Sequence, residues 1–517
     1  MKRNFFACAL AIALLFGHAA WVAGQIPERE ARPQESKTAP AAEMTPPKEE
    51  SSMTEHTIKI GGQVIPYKAT ASTILLKNDR GEPTALMYSA AYTRSDVQDL
   101  SLRPIAFCYN GGPGSASMWL HMGAFGPRRV VSTDAAFTPP APYSLVDNGE
   151  SLLDKTDLVF IDAIGTGFSH AVGKAQNRDF YGIDEDVQSF GQFIVTYLSR
   201  NNRWNSPKFL IGESYGTFRS AALGNHLQSR YSVHLNGIVL ISSVLDYGTK
   251  TFTVGHDLPY IAYIPSYAAV AWYHKALKNR PADLDAFVAE ARQFARADYP
   301  AILFKGDGLT PEAKEEAAKK LSYFTGLSED YWMKANLRVN LSQFLIELQR
   351  SRGLTTSRID ARFTGYTRDL LAEEAQGDPE GAAVGGAFTA MLNFYNRNEL
   401  KFGLDKMYNT SSRGGDWNWL RGPAPRGGGF ANVAPDLGRA LTTNPRLLVQ
   451  IENGYYDMAT PFFATEYTID HIGLPAELRS HIKFDYYQAG HMMYLQDESR
   501  GKLKNNVAAF IDRATQK

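Results

Sequence analysis

The 517-residue sequence predicts an α/β fold, a mostly parallel central sheet interleaved with helices and interrupted by an inserted helical subdomain. Two patterns carry this prediction. Short runs apolar on both faces stop in Gly-rich loops: "RPIAFCYNGG", "TDLVFIDAIGTG", "PKFLIGESYG", "NGIVLISS", "RLLVQIENGYYD" and "IKFDYYQAGH". Such runs suit strands buried in a parallel sheet. Helix-compatible segments such as "DEDVQSFGQFIVTYLSR" stand between several of them, the alternation expected of α/β proteins.

From the N-terminus, Lys2 and Arg3 precede an apolar stretch over 5–16, and "HAAWVAGQ" offers small residues for cleavage after Gly24, with Ala20 second. This reads as an export signal, since a membrane span needs about 20 apolar residues. Residues 25–56, rich in Pro, Glu, Lys and Ser, read as a flexible linker. From 57 the pattern alternates: "TIKIGGQVIPYKAT" and "TALMYSAAYTR", joined through "NDRGEP", predict an antiparallel entry region. The sheet runs then follow to 245, forming the first part of the core. Between 246 and 385 the rhythm changes to amphipathic helices, "LDAFVAEARQFARA", "PEAKEEAAKKLSYFTG" and "LSQFLIELQRSRG", which read as an inserted cap. Residues 386–517 return to the core.

Lys+Arg and Asp+Glu balance at 54 each, so no basic excess points to nucleic acid. Of two cysteines, Cys8 lies in the signal, which leaves Cys108 alone in a mature chain without internal disulfides. A bacterial periplasmic or secreted protein fits that economy, and Cys108 reads as a small core residue. No H-E-x-x-H or paired-cysteine zinc spacing occurs. The glycines of "RGGGFAN" lack the strand–helix frame of a phosphate loop.

The chemistry centres on Gly212-Glu213-Ser214-Tyr215-Gly216, a G-x-S-x-G between a strand and a helix-compatible segment. In a nucleophile elbow the glycines let the backbone pass closely while the Ser hydroxyl stands above the sheet. A structural turn with Ser214 as helix N-cap is the simpler alternative. A nucleophile needs a base, an orienting acid and oxyanion donors, in the chain order Ser, acid, His. "LLVQIENGYYDMATP" ends a strand and presents Asp457, and "KFDYYQAGHMM" ends the next and presents His491. His471 and His481 precede that strand rather than capping it. Singly, Asp457 would be an ordinary turn carboxylate and His491 an ordinary core histidine; the order gives them weight. "FCYNGGPGSAS" supplies the oxyanion loop, with the amides of Gly112 and Tyr215 as donors.

Taken together, "NGGPGSAS", "FIDAIGTGFS", "GESYG", "GYYDMATP" and "AGHMM" resemble the serine carboxypeptidases, over roughly 104–491. The resemblance implies an α/β-hydrolase fold with a helical cap, and release of C-terminal residues from peptides. It also implies that Asn110, Gly111 and Glu213 hold the free carboxylate of the substrate. A protonated Glu213 would donate a hydrogen bond there, whereas an ionised one would repel the ligand. The family's second Glu, before a Gly-Pro, is replaced in "MWLHMGAFGPRRV" by Ala124, and a common disulfide position holds Ser115. Arg128 or Arg129 is an alternative cation for the carboxylate, although a solvated surface pair is the commoner fate of such residues. The aromatic stretch "SYAAVAWYHKAL" reads as cap packing more than as a pocket wall.

The expectation is an exported serine carboxypeptidase acting on peptides through an acyl-enzyme on Ser214, with no metal, cofactor, nucleic acid or lasting membrane association. A serine esterase or acyltransferase on the same scaffold is the rival that the missing second Glu favours. An aminopeptidase or a non-catalytic peptide-binding protein would need a different specificity or an idle triad.

Overall fold

The apolar runs become the strands of one ten-stranded sheet in the computed structural model, which describes residues 47–412, 417–421 and 429–516. Nine strands lie side by side: β1 (Ser51–Ile60), β2 (Gln63–Lys77), β3 (Pro83–Arg94), β4 (Ile105–Tyr109), β5 (Asp157–Ile161), β6 (Lys208–Glu213), β7 (Gly237–Ile241), β8 (Leu448–Gly454) and β9 (Ile482–Tyr487). Their spatial order is β1-β2-β3-β5-β4-β6-β7-β8-β9, and a two-residue strand, His170–Ala171, pairs with β3. The first three strands and the β3–β5 contact are antiparallel. From β5 to β9 every neighbour is parallel.

The expected signal and the linker as far as residue 46 lie outside the described residues. The linker boundary at 56 is corrected, because β1 starts at Ser51 and pairs residue by residue with β2 from Ser51↔Ser72 onward. Its first residues are polar and partly exposed, so this stretch lacks the apolar signature of an inner strand.

Alternation along the central strands splits their side chains between two cores. Phe107, Leu210 and Leu240 join one cluster with α1 (Ile183–Arg200) and α2 (Tyr215–Tyr231). Cys108, Ile211 and Val239 join the other, with the C-terminal helix Asp497–Thr515. Each such fully buried side chain contributes about 1.5–3 kcal/mol. Among the described residues, no helix is long and apolar enough to cross a membrane.

Between β7 and β8 the inserted helices build a third core. In Leu284–Arg296, Leu284, Phe287, Val288, Ala291, Phe294 and Ala295 are buried at helical spacing, and Asp283 caps the first turn through the Ala286 amide. Tyr267 of the aromatic stretch is fully buried and stacked on Phe344, with ring centres 3.9 Å apart, which is cap packing as read. The far boundary of the cap at 385 is corrected. The helix Pro379–Asn398 runs across it and buries Val384, Ala387, Phe388, Leu392 and Tyr395 in the sheet core, with Phe388 4.8 Å from the Trp119 ring. Amphipathicity marks a helix's buried face but not the layer that receives it.

Candidate active site

The nucleophile's turn is as tight as the glycine spacing suggests. β6 ends at Glu213, α2 begins at Tyr215, and Ser214 between them has φ 59° and ψ −129°. A Cβ on Gly212 would lie 2.2 Å from the Gly216 carbonyl oxygen, and one on Gly216 would lie 2.8 Å from that of Tyr109. The strained conformation costs of the order of 1–3 kcal/mol. It is held by the Ser214 N–H donating to Ile241 O (3.0 Å) and by the Ser214 carbonyl accepting from the Thr217 N–H (2.8 Å) and hydroxyl (2.7 Å). Ser214 is half-buried between two buried neighbours, so the turn lifts this one side chain toward solvent.

Asp457 and His491 meet above the ends of β8 and β9. His491 Nδ1 lies 2.7 Å from Asp457 Oδ2. The other carboxylate oxygen accepts the amides of Ala459 (2.8 Å) and Thr460 (2.9 Å), and the Thr460 hydroxyl donates to Oδ2 (2.6 Å). With Nδ1–H given to Asp457, Nε2 is the acceptor, the tautomer a general base requires. The backbone of His491 is clamped as well: its N–H donates to Ile359 O (2.9 Å) and its carbonyl accepts from Ser242 Oγ (2.6 Å). His471 and His481 instead face the carbonyls of Tyr467 and Leu447.

The expected oxyanion loop lies against the elbow. A Cβ on Gly111 would fall 2.4 Å from the Tyr215 nitrogen, so the Gly111–Gly112 backbone rests directly on the amide beside the nucleophile. Tyr215 opens α2, and its N–H therefore has no intrahelical acceptor. Buried polar contacts fix the loop from behind. Asp162 accepts from the Ser117 amide and the Tyr408 hydroxyl, both at 2.8 Å, and Asn110 Oδ1 accepts from the Leu120 amide (3.0 Å). Arg219 of α2, fully buried, donates to the Asn110 carbonyl (2.8 Å) while gripping both carboxylate oxygens of Asp186 on α1 (2.7 and 3.1 Å). One ion pair thus ties two helices to the oxyanion loop.

Glu213 faces into the same region. Its Oε1 accepts from Asn110 Nδ2 at 2.8 Å, and its Oε2 is buried without a hydrogen-bond partner among the described residues. Burial pushes its carboxyl up to about 7; the Asp457 charge adds to this, while His491, Tyr494 and Asn110 oppose it. Ala124 is buried in the turn Leu120–Phe125 and brings no carboxyl. A second buried glutamate lies within reach of the Glu213 charge. Glu380, at the start of Pro379–Asn398, is buried with both oxygens unpartnered, and its carboxyl is held well above the ordinary range by burial first and then by the charges of Asp360, Asp378 and Glu213. The buried Tyr494 hydroxyl lies beside Glu213 and feels the charges of both glutamates. In sequence Glu380 is one more acid in a helix's first turn, with no mark of its destination. Of the two arginines, Arg128 pairs with Asp147 and Glu399, and among the described residues a guanidinium nitrogen of Arg129 donates to the Val130 carbonyl. Cys108 is buried and free, its thiol pushed up by burial.

The sequence profile of the serine carboxypeptidases matches residues 76–508. The chain belongs to the serine carboxypeptidase family. The profile covers the elbow, the oxyanion loop, the cap and the Asp457–His491 pair; β1, most of β2 and the last helical turns lie outside it, as do residues 1–50. Among curated proteins, the chain is similar to the pheromone-processing carboxypeptidase KEX1 of Saccharomyces cerevisiae, with 32% identity over 146 residues, 26% of this chain. The match spans only 19% of that relative's length. The crystal structure of Kex1(delta)p, a prohormone-processing carboxypeptidase from the same yeast, is similar over 86% of this chain and 91% of that one, with a TM-score of 0.51 and 16% identity. That likeness is one of fold, an α/β hydrolase with a parallel sheet and inserted helices.

Proposed function

We propose that this serine carboxypeptidase family member removes C-terminal residues from peptides. The observation that carries the reading is the placement of Glu213 and Asn110, hydrogen-bonded to each other, one residue from the nucleophile and within one packed loop of the oxyanion donors. A carboxyl raised toward neutrality beside Ser214 suits a ligand that is itself a carboxylate, because its proton can be shared with that ligand.

In this scheme His491 Nε2 takes the proton of Ser214 as its oxygen attacks the scissile carbonyl. Asp457 holds the tautomer of His491 and balances the charge of its protonated form. The amides of Gly112 and Tyr215 bind the oxyanion, and His491 returns the proton to the leaving amino group. Water then attacks the acyl-enzyme by the same base. Asn110, Gly111 and Glu213 hold the terminal carboxylate. Export to a bacterial periplasm or the medium, directed by residues 1–24, belongs to the same reading. Ala124 favours a serine esterase or acyltransferase as the second reading; the Glu213–Asn110 hydrogen bond beside the nucleophile weighs against it.

The test is mass spectrometry of one peptide, with a free and with an amidated C-terminus, incubated with the wild type and with Ser214→Ala. Stepwise loss from the free form alone, absent in the variant, is expected. Equal trimming of both forms, or turnover of simple esters only, would instead assign a serine hydrolase of other specificity.

A further inference from the structure

Three residues past His491 the chain makes a short turn, Met493–Leu495, from which Tyr494 enters the core with only 1% of its surface exposed. The turn is pinned on both sides. The Leu495 N–H donates to Met492 O (3.0 Å), and the Tyr494 carbonyl accepts from Arg500 Nη1 (3.2 Å). The ring lies against the turn Leu120–Phe125, where a Cβ on Gly123 would fall 2.6 Å from a ring carbon of Tyr494. This is the turn in which Ala124 stands at the place of the family's second Glu. Asn110 ties the same turn to Glu213, accepting from the Leu120 amide (3.0 Å) and donating to Glu213 Oε1 (2.8 Å). Oε2 takes no backbone or amide donor among the described residues, and the buried Tyr494 hydroxyl lies beside Glu213 with Asn110 also in reach.

A buried hydroxyl and a buried carboxyl oxygen are each costly when left unpaired, and together they remove both costs. Tyr494 can only donate in this pair. Burial first, then the charge of Glu213, keep its proton far above the ordinary tyrosine range. A protonated Glu213 retains acceptor capacity while it donates one hydrogen bond. It can therefore accept from Asn110 and Tyr494 and still donate to a ligand carboxylate. We propose that Tyr494 stands in for the missing second Glu as a positioning residue: its hydroxyl donates to Glu213 and holds that carboxyl for the terminal carboxylate of the substrate. The inference rests on the carboxypeptidase reading and specifies how its carboxylate site is completed with Ala124 in place. The other ionisable groups facing Glu213 are His491, Asp457 and Glu380. Burial is the main cause that lifts Glu213 to about 7, with Asp457 adding to it; His491, Tyr494 and Asn110 oppose it. Glu380 is itself held well above the ordinary range by burial, then by Asp360, Asp378 and Glu213, with Arg362 opposing.

Full-length wild type, Tyr494→Phe, Glu213→Gln and the double variant would be assayed between about pH 5 and 9 on one peptide with a free and with an amidated C-terminus. In wild type the preference for the free form should fall to half its acid value near pH 7, where Glu213 loses its proton. Removing the hydroxyl withdraws a donor from the ionised carboxyl, which then forms less readily. Tyr494→Phe should therefore move the midpoint up by about one pH unit. On the acid side of the midpoint KM for the free peptide should rise about three- to tenfold, and the amidated peptide should change less than about twofold. Glu213→Gln should leave no midpoint, and adding Tyr494→Phe to it should create none. A fluorinated tyrosine placed at 494, a stronger donor of nearly the same shape, should move the midpoint down; it decides the matter if the Phe variant does not fold. An unmoved midpoint in these Tyr494 variants, or equal KM losses on both peptides, would overturn the role of Tyr494 and leave the carboxypeptidase reading standing. A wild type that shows no preference for the free form at any pH would overturn both. If no peptide is cleaved, calorimetry of the same two peptides with Ser214→Ala, with and without Tyr494→Phe, reads the same midpoint from binding. An upward shift supports the pairing, and an unchanged midpoint rejects it.

Discussion

The two walls of the site are built differently. On one side, nucleophile and oxyanion loop sit at the ends of β4 and β6, backed by paired side chains: Arg219 with Asp186 and Asn110, Asp162 with Ser117 and Tyr408. On the other side, chain returning from the insertion brings Glu380, with both carboxyl oxygens buried and unpartnered among the described residues. Closed hydrogen-bonding fixes the geometry of a reaction that is the same for every substrate. Open valences on buried groups are costly unless a ligand uses them. The contrast separates a wall that performs the chemistry from one that selects what reaches it.

The largest effect should come from the paired wall and its base. Asp457→Asn keeps the shape of the loop but reverses the hydrogen-bond polarity toward His491 Nδ1, favouring the wrong tautomer. A fall in kcat of about 10⁴-fold with an unchanged melting temperature is expected. A loss below about tenfold would show that Thr460, whose hydroxyl lies 3.2 Å from the same nitrogen, can orient the base alone. Next in size is Arg219→Ala. It strands a buried Asp186 and frees the Asn110 carbonyl, so denaturant unfolding should register a loss of about 3–5 kcal/mol. Arg128→Ala, at the partly exposed pair with Asp147 and Glu399, should cost less than about 1 kcal/mol. Similar costs for the two would remove the asymmetry between buried and surface pairing.

The same contrast explains what the sequence disclosed. The strands, the elbow and the Asp457–His491 order were legible because their signals are local: an apolar run, a glycine where backbone must approach backbone, an acid or a histidine just past a strand end. Gly111 and Gly216 are required by contacts the motif itself implies. Glu380 was not legible. It is an ordinary charge at a helix start, and only long-range packing decides that it is buried and which charges surround it. The polar start of β1 and the layer joined by Pro379–Asn398 escaped for the same reason, since edge pairing and helix docking are tertiary choices.

For the open wall, Glu380→Leu is expected to lower kcat/KM about tenfold on a free-acid peptide at pH 5.5, mainly through KM. An ester lacking a free carboxylate should lose less than about threefold. Glu380→Gln, which keeps the shape and a donor, should recover most of the loss. An equal drop on both substrates would reduce Glu380 to a helix-start residue and leave Glu213 to act alone.

The smallest effect separates two acids of similar electrostatics and different purpose. Glu213 and Glu452 are both raised by burial, to about 7 and about 8. Glu452 sits within β8 and accepts from the Tyr487 hydroxyl (2.7 Å), away from the nucleophile's turn. Each folded-state value lies above the unfolded value near 4.5, so the stability each contributes is full below that pH and is lost as pH rises toward its folded value. Within that window each group alone makes stability fall by about 1.4 kcal/mol per pH unit. Urea titrations between pH 5 and 8 should therefore show a shallower decline for Glu452→Gln than for wild type, with peptide trimming intact. Glu213→Gln should flatten the curve below pH 7 in the same way. It should also remove the pH dependence of the preference for free over amidated peptides, which in wild type is strongest below pH 7, where Glu213 carries its proton. If Glu213→Gln flattened stability but left that preference and its pH dependence untouched, Glu213 would belong with Glu452 as a structural acid. Recognition of the substrate carboxylate would then pass to Asn110 and the backbone of the oxyanion loop.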